Sequence, residues 1–148
     1  ELQALCRERH FPFIVNDNVD IAKAMDADGV HVGQDDMAAL DARAKLGPDK
    51  LIGVSAHTVE EALLAEKQGA DYLGVGAVFP TSSKSDVGEM SYETLKAICE
   101  AVSIPVVAIG GISGENVGKL AGSGIYAAKD VKAAAADLKA TVEEMLRV

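Results

Sequence analysis

Five short apolar segments alternate with helix-like segments along this chain, and each apolar segment ends in polar or glycine residues. They lie at residues 13–17, 29–36, 51–55, 72–79 and 106–111. Strands that alternate with helices form parallel sheets, and such sheets place their chemistry at the carboxyl ends of the strands. The pattern therefore predicts an α/β fold in which the polar residues after the strands converge on one site.

Local start and stop signals indicate where the helices lie. Thr58 and Glu61 have the spacing of a capping box, Ser91 is a helix-capping residue, and Gly69 is a helix stop. Together with the apolar spacing, these signals predict helices at residues 1–10, 19–25, 37–46, 58–68, 91–102, 113–121 and 129–147. His31 falls inside the second strand, where we expect it to be packed.

The charge of the chain limits the classes of partner. The formal net charge is −9 and no basic stripe is present, which argues against nucleic acid as a partner. No signal peptide or 18-residue apolar span is found, so we expect a cytoplasmic protein without a membrane partner. Cys6 and Cys99 are then expected to be reduced. An anionic ligand would need local help from a metal ion, a lysine or helix N-termini.

The number of strands is small for a closed parallel barrel, which needs eight strands and at least roughly 200 residues. An open sheet of five strands would leave bare edges. The segment 121–126 also passes from one helix almost directly into the next, with no strand between them. We therefore expect residues 1–148 to be one domain that lacks N-terminal strands and a segment between Ile125 and Tyr126.

Acidic residues follow the first two strands. Asn16 and Asp17 end the first strand, and Asp35 and Asp36 follow the second. Carboxylates on adjacent parallel strands can share one hard cation, and Mg²⁺ takes one or two carboxylates together with water and phosphate oxygens. Asp17 and Asp36 are therefore candidate Mg²⁺ ligands, with Asp35 a weaker one. Their roles as turn formers or helix caps stay open.

Hydroxyl groups and one ammonium group follow the fourth strand. The segment 79–84 reads FPTSSK, a set of donors that suits phosphate. Gly110 and Gly111 precede a predicted helix start, where free N–H groups give a second phosphate candidate. Ser55, at the end of the third strand, could donate to an anion, and His57 could transfer protons. Both could equally be loop residues without a chemical role.

Six phrases of the sequence carry a resemblance to a known family. They are FIVND at 13–17, ADGVHVGQDD at 27–36, GVSAHT at 53–58, GADYLGVG at 69–76, FPT at 79–81 with Lys84, and IPVVAIGGI at 104–112. In this order and spacing they resemble thiamine-phosphate synthase, also called thiamine-phosphate pyrophosphorylase. The resemblance covers nearly the whole chain. It implies a (β/α)₈ TIM barrel, of which about five of the eight strands are present here.

The resemblance also implies a transferase. Such an enzyme joins 4-amino-2-methyl-5-hydroxymethylpyrimidine diphosphate to 4-methyl-5-(2-phosphoethyl)thiazole or its carboxylate form, giving thiamine phosphate and pyrophosphate. The reaction is a Mg²⁺-dependent dissociative substitution. The protein then has to stabilise pyrophosphate, position the thiazole nitrogen and exclude water. The implied partners are small phosphorylated molecules, and a homo-oligomer is left open.

The same resemblance assigns roles to individual residues. It implies that Asp17 and Asp36 hold Mg²⁺ and that Ser55 and Lys84 are catalytic residues near the leaving diphosphate. The implied substrate-binding residues are Asn16 and Lys84 for the pyrimidine diphosphate, and Thr81, Ser83 and Gly111 for the thiazole phosphate. Ser83 stands where the family has Thr, and it keeps the hydroxyl group.

Two departures from the family pattern agree with an incomplete chain. The first two strands, with a Gln-x-Arg-x-Lys element that binds diphosphate, would precede Glu1. The last-strand phosphate loop would fall between Ile125 and Tyr126. The leading alternative function is a thiazole tautomerase, which would use His57 and would not need the carboxylates or Lys84. A non-catalytic barrel that binds a phosphate ligand is a second alternative. The carboxylates and Lys84 favour the synthase.

Overall fold

The computed structural model describes residues 1–80, 90–113, 115–116 and 120. Within these residues, strands alternate with helices as the sequence predicts. The strands are β1 (Ile14–Asn16), β2 (Gly29–Val32), β3 (Leu51–Ala56), β4 (Tyr72–Val75) and β5 (Val106–Ala108). The helices are α1 (Leu2–Glu8), α2 (Val19–Ala24), α3 (Ala39–Leu46), α4 (Val59–Lys67) and α5 (Tyr92–Ala101).

The five strands form one parallel sheet in the order β1-β2-β3-β4-β5. Each strand therefore lies beside the next one along the chain, and a helix connects them. This sequential order is typical of the wall of a (β/α)₈ barrel, whereas doubly wound sheets reverse their order part of the way along. The predicted parallel α/β sheet is confirmed.

One face of the sheet carries the apolar core. Val30, Ile52 and Leu73, in the middle of β2, β3 and β4, are each 0% exposed. Helices α3 and α4 both contact β3, and Ala42 of α3 and Ala62 of α4 are fully buried. Small alanine side chains let helices approach a sheet closely. Each buried Val, Ile or Leu stabilises the fold by about 1.5–3 kcal/mol relative to exposure.

The opposite face carries polar and glycine residues. The strand register places Asn16, His31, Gly53 and Tyr72 in one row across β1 to β4. Ser55 lies two residues beyond Gly53 on β3 and pairs with Gly74 in the next row. Because residues two apart in a strand share a face, Ser55 lies on this same face, nearer the carboxyl ends of the strands.

Helices α4 and α5 start at the predicted caps, whereas α2 starts at a cap that was not predicted. The side chains of Asn18, Thr58 and Ser91 accept hydrogen bonds from backbone N–H groups of α2, α4 and α5. Helix α3 is different, because it begins at Ala39 instead of the predicted residue 37. The reason lies just before it, where the Asp36 carboxylate accepts from Gly33 N at 2.7 Å and holds the chain in a turn.

The chain divides into two compact units, Glu1–Gly111 and Ile112–Val148. In the second unit, Ser113 N donates to Asn116 Oδ1 at 2.7 Å. The predicted helix at 129–147 and the predicted gap between Ile125 and Tyr126 lie outside the described residues, so they stay predictions. The expectation of one domain over residues 1–148 is also untested. In the part of the chain that is described, no helix has the length and apolar character to cross a membrane.

Candidate functional site

Asn16 and Asp17 lie at the carboxyl end of β1. Asn16 pairs with His31, and Asp17 N donates to His31 O at 2.7 Å, which continues the β1–β2 ladder by one residue. Asp17 has φ of 65°, a left-handed conformation that Asp tolerates better than most residues. The chain therefore turns away from the sheet at Asp17, and α2 begins directly after the Asn18 cap. Both site residues are exposed at this edge of the sheet.

The loop after β2 is held in place by two side chains. Asp36 Oδ2 accepts from Gly33 N at 2.7 Å, so Asp36 is a turn former, as one of the open readings has it. The Asp36 carboxylate is exposed and has a second oxygen, so it can bind a metal ion while Oδ2 keeps the turn. Gln34 Nε2 donates to Ser55 O at 2.6 Å. The Asp36 loop is thereby tied to the end of β3.

Ser55 belongs to a polar cluster that is centred on His31. Its Oγ is 3.0 Å from His31 Nε2, and His31 Nδ1 is 3.1 Å from the Tyr72 hydroxyl. The two aromatic rings lie 5.5 Å apart, tilted by 39°. Burial raises the pKa of Tyr72, so its phenol stays protonated. The expected packing of His31 within the sheet is confirmed, and the ring also links three strands through side-chain hydrogen bonds.

The turn at Gly110 and Gly111 lies against the start of the hydroxyl-rich segment. Phe79 N donates to Gly110 O at 3.1 Å, so the chains after β4 and β5 run side by side. Both glycines have positive φ, 94° and 63°. A Cβ on Gly111 would come within 2.5 Å of Pro80 O, so only glycine allows this approach. Pro80 directly precedes Thr81, which places Gly111 beside the beginning of that segment.

Thr81, Ser83 and Lys84 lie outside the described residues, so their predicted contacts stay predictions. The two ends of their segment are described. Pro80 lies against Gly111, and Met90 N donates to Ala77 O at 2.8 Å. Pro80 and Met90, the described residues on either side of it, therefore both lie near the carboxyl end of β4.

His57 lies at the start of α4. Its backbone N donates to Glu61 Oε2 at 2.7 Å, and its ring Nδ1 lies 3.4 Å from the same oxygen. Glu61 thus reaches back one residue further than the predicted capping box with Thr58 requires. The imidazole is exposed, and the contact serves the helix start.

The acidic residues at this edge have the donor chemistry that Mg²⁺ takes. Within the described residues, no three His, Cys, Asp or Glu side chains come together as a metal-binding group. Mg²⁺ commonly takes only one or two protein carboxylates and fills its shell with water and phosphate oxygens. Asp17 and Asp36, on adjacent strand ends and both exposed, fit that requirement.

Two residues of this site were missed by sequence reasoning. Gln34 directly precedes Asp35 and Asp36, which are candidate metal ligands, and its side-chain amide donates a hydrogen bond to the Ser55 carbonyl. Tyr72 opens a strand, and its hydroxyl contacts His31. The available signal was alternation: a polar residue at every second strand position marks one face of a sheet.

Comparison with known proteins gives consistent matches. A family model described as thiamine monophosphate synthase matches residues 1–139. The thiamine-phosphate synthase of Shouchella clausii is 51% identical over 153 residues, covering 97% of this chain and 73% of that protein. The thiamine-phosphate synthase of Clostridium tetani is 53% identical over 120 residues, covering 81% of this chain and 57% of that protein.

A solved structure agrees with these matches. Thiamine phosphate pyrophosphorylase from Pyrococcus furiosus has a TM-score of 0.75 and 43% identity, covering 98% of this chain and 74% of that chain. The predicted fold class, a parallel α/β barrel type, is confirmed by this similarity and by the strand order. The chain spans from 57% to 73% of the length of the two bacterial relatives.

Proposed function

The chain belongs to the thiamine monophosphate synthase family, and from this premise we propose that the protein joins a pyrimidine diphosphate to a thiazole phosphate. The substrates are 4-amino-2-methyl-5-hydroxymethylpyrimidine diphosphate and 4-methyl-5-(2-phosphoethyl)thiazole or its carboxylate form. The products are thiamine phosphate and pyrophosphate, and the carboxylate form also loses its carboxyl group as CO₂. The reaction takes place in the cytoplasm.

One observation carries the proposal. The carboxyl ends of adjacent strands bring an amide, two carboxylates and a hydroxyl to a single edge of the sheet, in Asn16, Asp17, Asp36 and Ser55. Parallel α/β enzymes bind and transform substrates at this edge. Among the described residues at this edge we find no Ser-His-Asp or Cys-His set, and a substitution that begins with loss of diphosphate needs none.

Asp17 and Asp36 would hold Mg²⁺. When bound there, the ion would neutralise negative charge on the diphosphate. The protein's net charge of −9 makes such neutralisation necessary, because a diphosphate would otherwise approach an acidic surface. Asp17 offers its carboxylate from the β1 turn, and Asp36 from a loop that Gly33 and Gln34 hold in place.

The remaining residues act on the two substrates. The bond from the pyrimidine methylene carbon to the diphosphate oxygen breaks, and its electron pair leaves with pyrophosphate. The thiazole nitrogen then forms a bond to the same carbon. Ser55 donates its hydroxyl proton in a hydrogen bond to the leaving group, and Lys84 neutralises the phosphates. Asn16 orients the pyrimidine, while Thr81, Ser83 and Gly111 bind the thiazole phosphate.

We also propose that this chain forms part of a larger barrel. The face of the sheet that carries His31 and Ser55 would be the inner face of such a barrel. Two apolar side chains on this inner face are exposed, Val107 at 46% and Ile109 at 51%. Further strands of a closed barrel would cover such residues. The alignment with the Shouchella clausii relative spans 153 residues, more than the 148 of this chain, so that relative holds residues this chain lacks.

A tautomerase would need His57 and would make no use of Asp17 or Asp36. The placement of one carboxylate after each of two adjacent strands supports the synthase instead, and the contacts of His57 with Glu61 belong to the start of α4.

The metal assignment is tested by the Asp17→Asn and Asp36→Asn variants of the intact protein. Each should lose at least roughly 100-fold in kcat at limiting Mg²⁺, because a charged ligand is removed from the ion. Asp35→Asn is the matched control, since Asp35 is an exposed neighbour on the same loop, and it should retain activity. A wild-type rate in either ligand variant would contradict the assignment.

A further inference from the structure

His31 makes a side-chain hydrogen bond through each ring nitrogen. Nε2 lies 3.0 Å from Ser55 Oγ, and Nδ1 lies 3.1 Å from the Tyr72 hydroxyl. The three side chains come from three adjacent strands, β2, β3 and β4. They point onto the inner face of the sheet in an order that runs from Tyr72, at the start of β4, towards Ser55, near the carboxyl end of β3.

Two glycines leave room for this arrangement. Gly53 lies between His31 and Tyr72 in the strand register, and a Cβ there would contact the Tyr72 ring and come within 2.5 Å of His31 Nδ1. A Cβ on Gly74 would lie 2.8 Å from His31 Cε1. The His31 ring therefore lies over two positions where any larger residue would displace it. The two glycines thus give the ring the space in which it makes its two hydrogen bonds.

Ser55 is held from a second direction. Gln34 Nε2 donates to the Ser55 backbone carbonyl at 2.6 Å, so both the main chain and the hydroxyl of Ser55 have defined positions. A hydroxyl that acts on a developing charge is most effective when it does not have to reorient during the reaction.

We propose that His31 is a positioning residue that directs the Ser55 hydroxyl proton towards the substrate, with Tyr72 fixing the tautomer of His31. The inference rests on the proposed function, in which Ser55 donates to the leaving diphosphate. The Tyr72 O–H donates to Nδ1, so the ring proton stands on Nε2. Nε2–H then donates to a lone pair of Ser55 Oγ. The single proton of Ser55 is thereby left to point away from the ring, towards an acceptor.

The opposite direction of donation is incompatible with this role. If Nδ1 carried the proton, it would donate to the Tyr72 oxygen, and Nε2 would accept the Ser55 proton. Ser55 would then face the substrate with lone pairs only, which would repel a diphosphate oxygen. The tautomer of His31 is therefore the feature that decides whether Ser55 can act as a donor.

The functional test compares two amide replacements in the intact protein. His31→Gln keeps an N–H near the Nε2 position, whereas the shorter His31→Asn keeps one near Nδ1 and leaves Ser55 without its donor. We expect His31→Asn to lower kcat roughly ten-fold with little change in KM, and His31→Gln to stay within about three-fold of the wild type. Ser55→Ala combined with His31→Asn should be no slower than Ser55→Ala alone, because His31 acts through Ser55. Equal losses in Gln and Asn variants, or effects that multiply, would overturn the proposal.

A spectroscopic test does not depend on turnover. Nitrogen NMR of the His31 ring should give the Nε2–H tautomer in the wild type, and Tyr72→Phe should move the Nδ1 resonance and populate the other tautomer. A wild-type Nδ1–H tautomer would overturn the proposal even in an active enzyme. Lack of thiamine phosphate formation by the wild type would instead refute the proposed function, and the two failures are thus distinguishable. Thermal unfolding of each variant identifies any loss of activity that comes from unfolding.

Discussion

Replacing Arg43 by Met should destabilise the fold more than any exposed ion pair could explain. The Arg43 guanidinium donates five hydrogen bonds at the end of α3, connecting that helix to the starts of β3 and β4. The acceptors are the carbonyl oxygens of Gly47, Pro48, Lys50 and Gly69 and the carboxylate of Asp71. Asp71 in turn accepts from Ile52 N at 2.7 Å.

The size of the effect follows from these contacts. The shortest are 2.5 Å to Lys50 O and 2.6 Å to Asp71 Oδ2. The Arg43 side chain is 22% exposed and that of Asp71 is 39% exposed, so solvent screens the ion pair and only part of its Coulomb energy counts. Because these hydrogen bonds come from a charged group but are partly exposed to solvent, we expect Arg43→Met to lower the free energy of unfolding by about 2–3 kcal/mol. That corresponds to a fall in Tm of roughly 5–10 °C.

Thermal and urea unfolding of the intact protein measure the effect. Arg43→Lys should recover little of the lost stability, because a single ammonium group cannot contact all five acceptors at once. Lys45→Met is the matched control on the same helix. It removes only the Lys45–Asp20 ion pair, in which Asp20 is 74% exposed, and should change stability by less than about 0.5 kcal/mol. Equal losses in Arg43→Met and Lys45→Met would refute the reasoning.

Two further predictions concern the sheet face and α5. Gly53→Ala should destabilise by about 1–3 kcal/mol and shift the His31 ring resonances, because the new methyl group would overlap the Tyr72 ring; unchanged unfolding and spectra would contradict this. Burial, with the Glu100 charge as a second cause, raises the pKa of the Cys99 thiol. The thiolate fraction is therefore low below that pKa, and alkylation of Cys99 should be slower than that of an unfolded peptide at about pH 8 and should accelerate as pH rises; equal rates at that pH would count against it.

Much of the fold could be predicted because its signals are local. Asn18, Thr58 and Ser91 cap helices through contacts three residues away, and such spacings can be read directly from a sequence. The predicted start of α3 is two residues too early. The Asp36 side chain accepts a hydrogen bond from Gly33 N, and the turn that this bond holds delays the start of the helix to Ala39.

The polar cluster on the sheet could not be predicted in the same way. His31 and Ser55 lie 24 residues apart, and His31 and Tyr72 lie 41 apart. Their contacts depend on the register between strands, and a shift of one residue would move a whole strand's side chains to the other face. Apolar segments indicate strands but do not fix that register. The sequence therefore predicted Ser55 as a site residue without its two partners.

Product formation by the intact protein tests the central claim most directly. The protein is incubated with the pyrimidine diphosphate, the thiazole phosphate and Mg²⁺, and products are identified by mass, with reactions that omit one substrate as controls. We predict equal amounts of thiamine phosphate and pyrophosphate, with neither product when the thiazole is omitted. Absence of thiamine phosphate in the complete reaction, or isomerisation of a thiazole without any pyrimidine diphosphate present, would contradict the account.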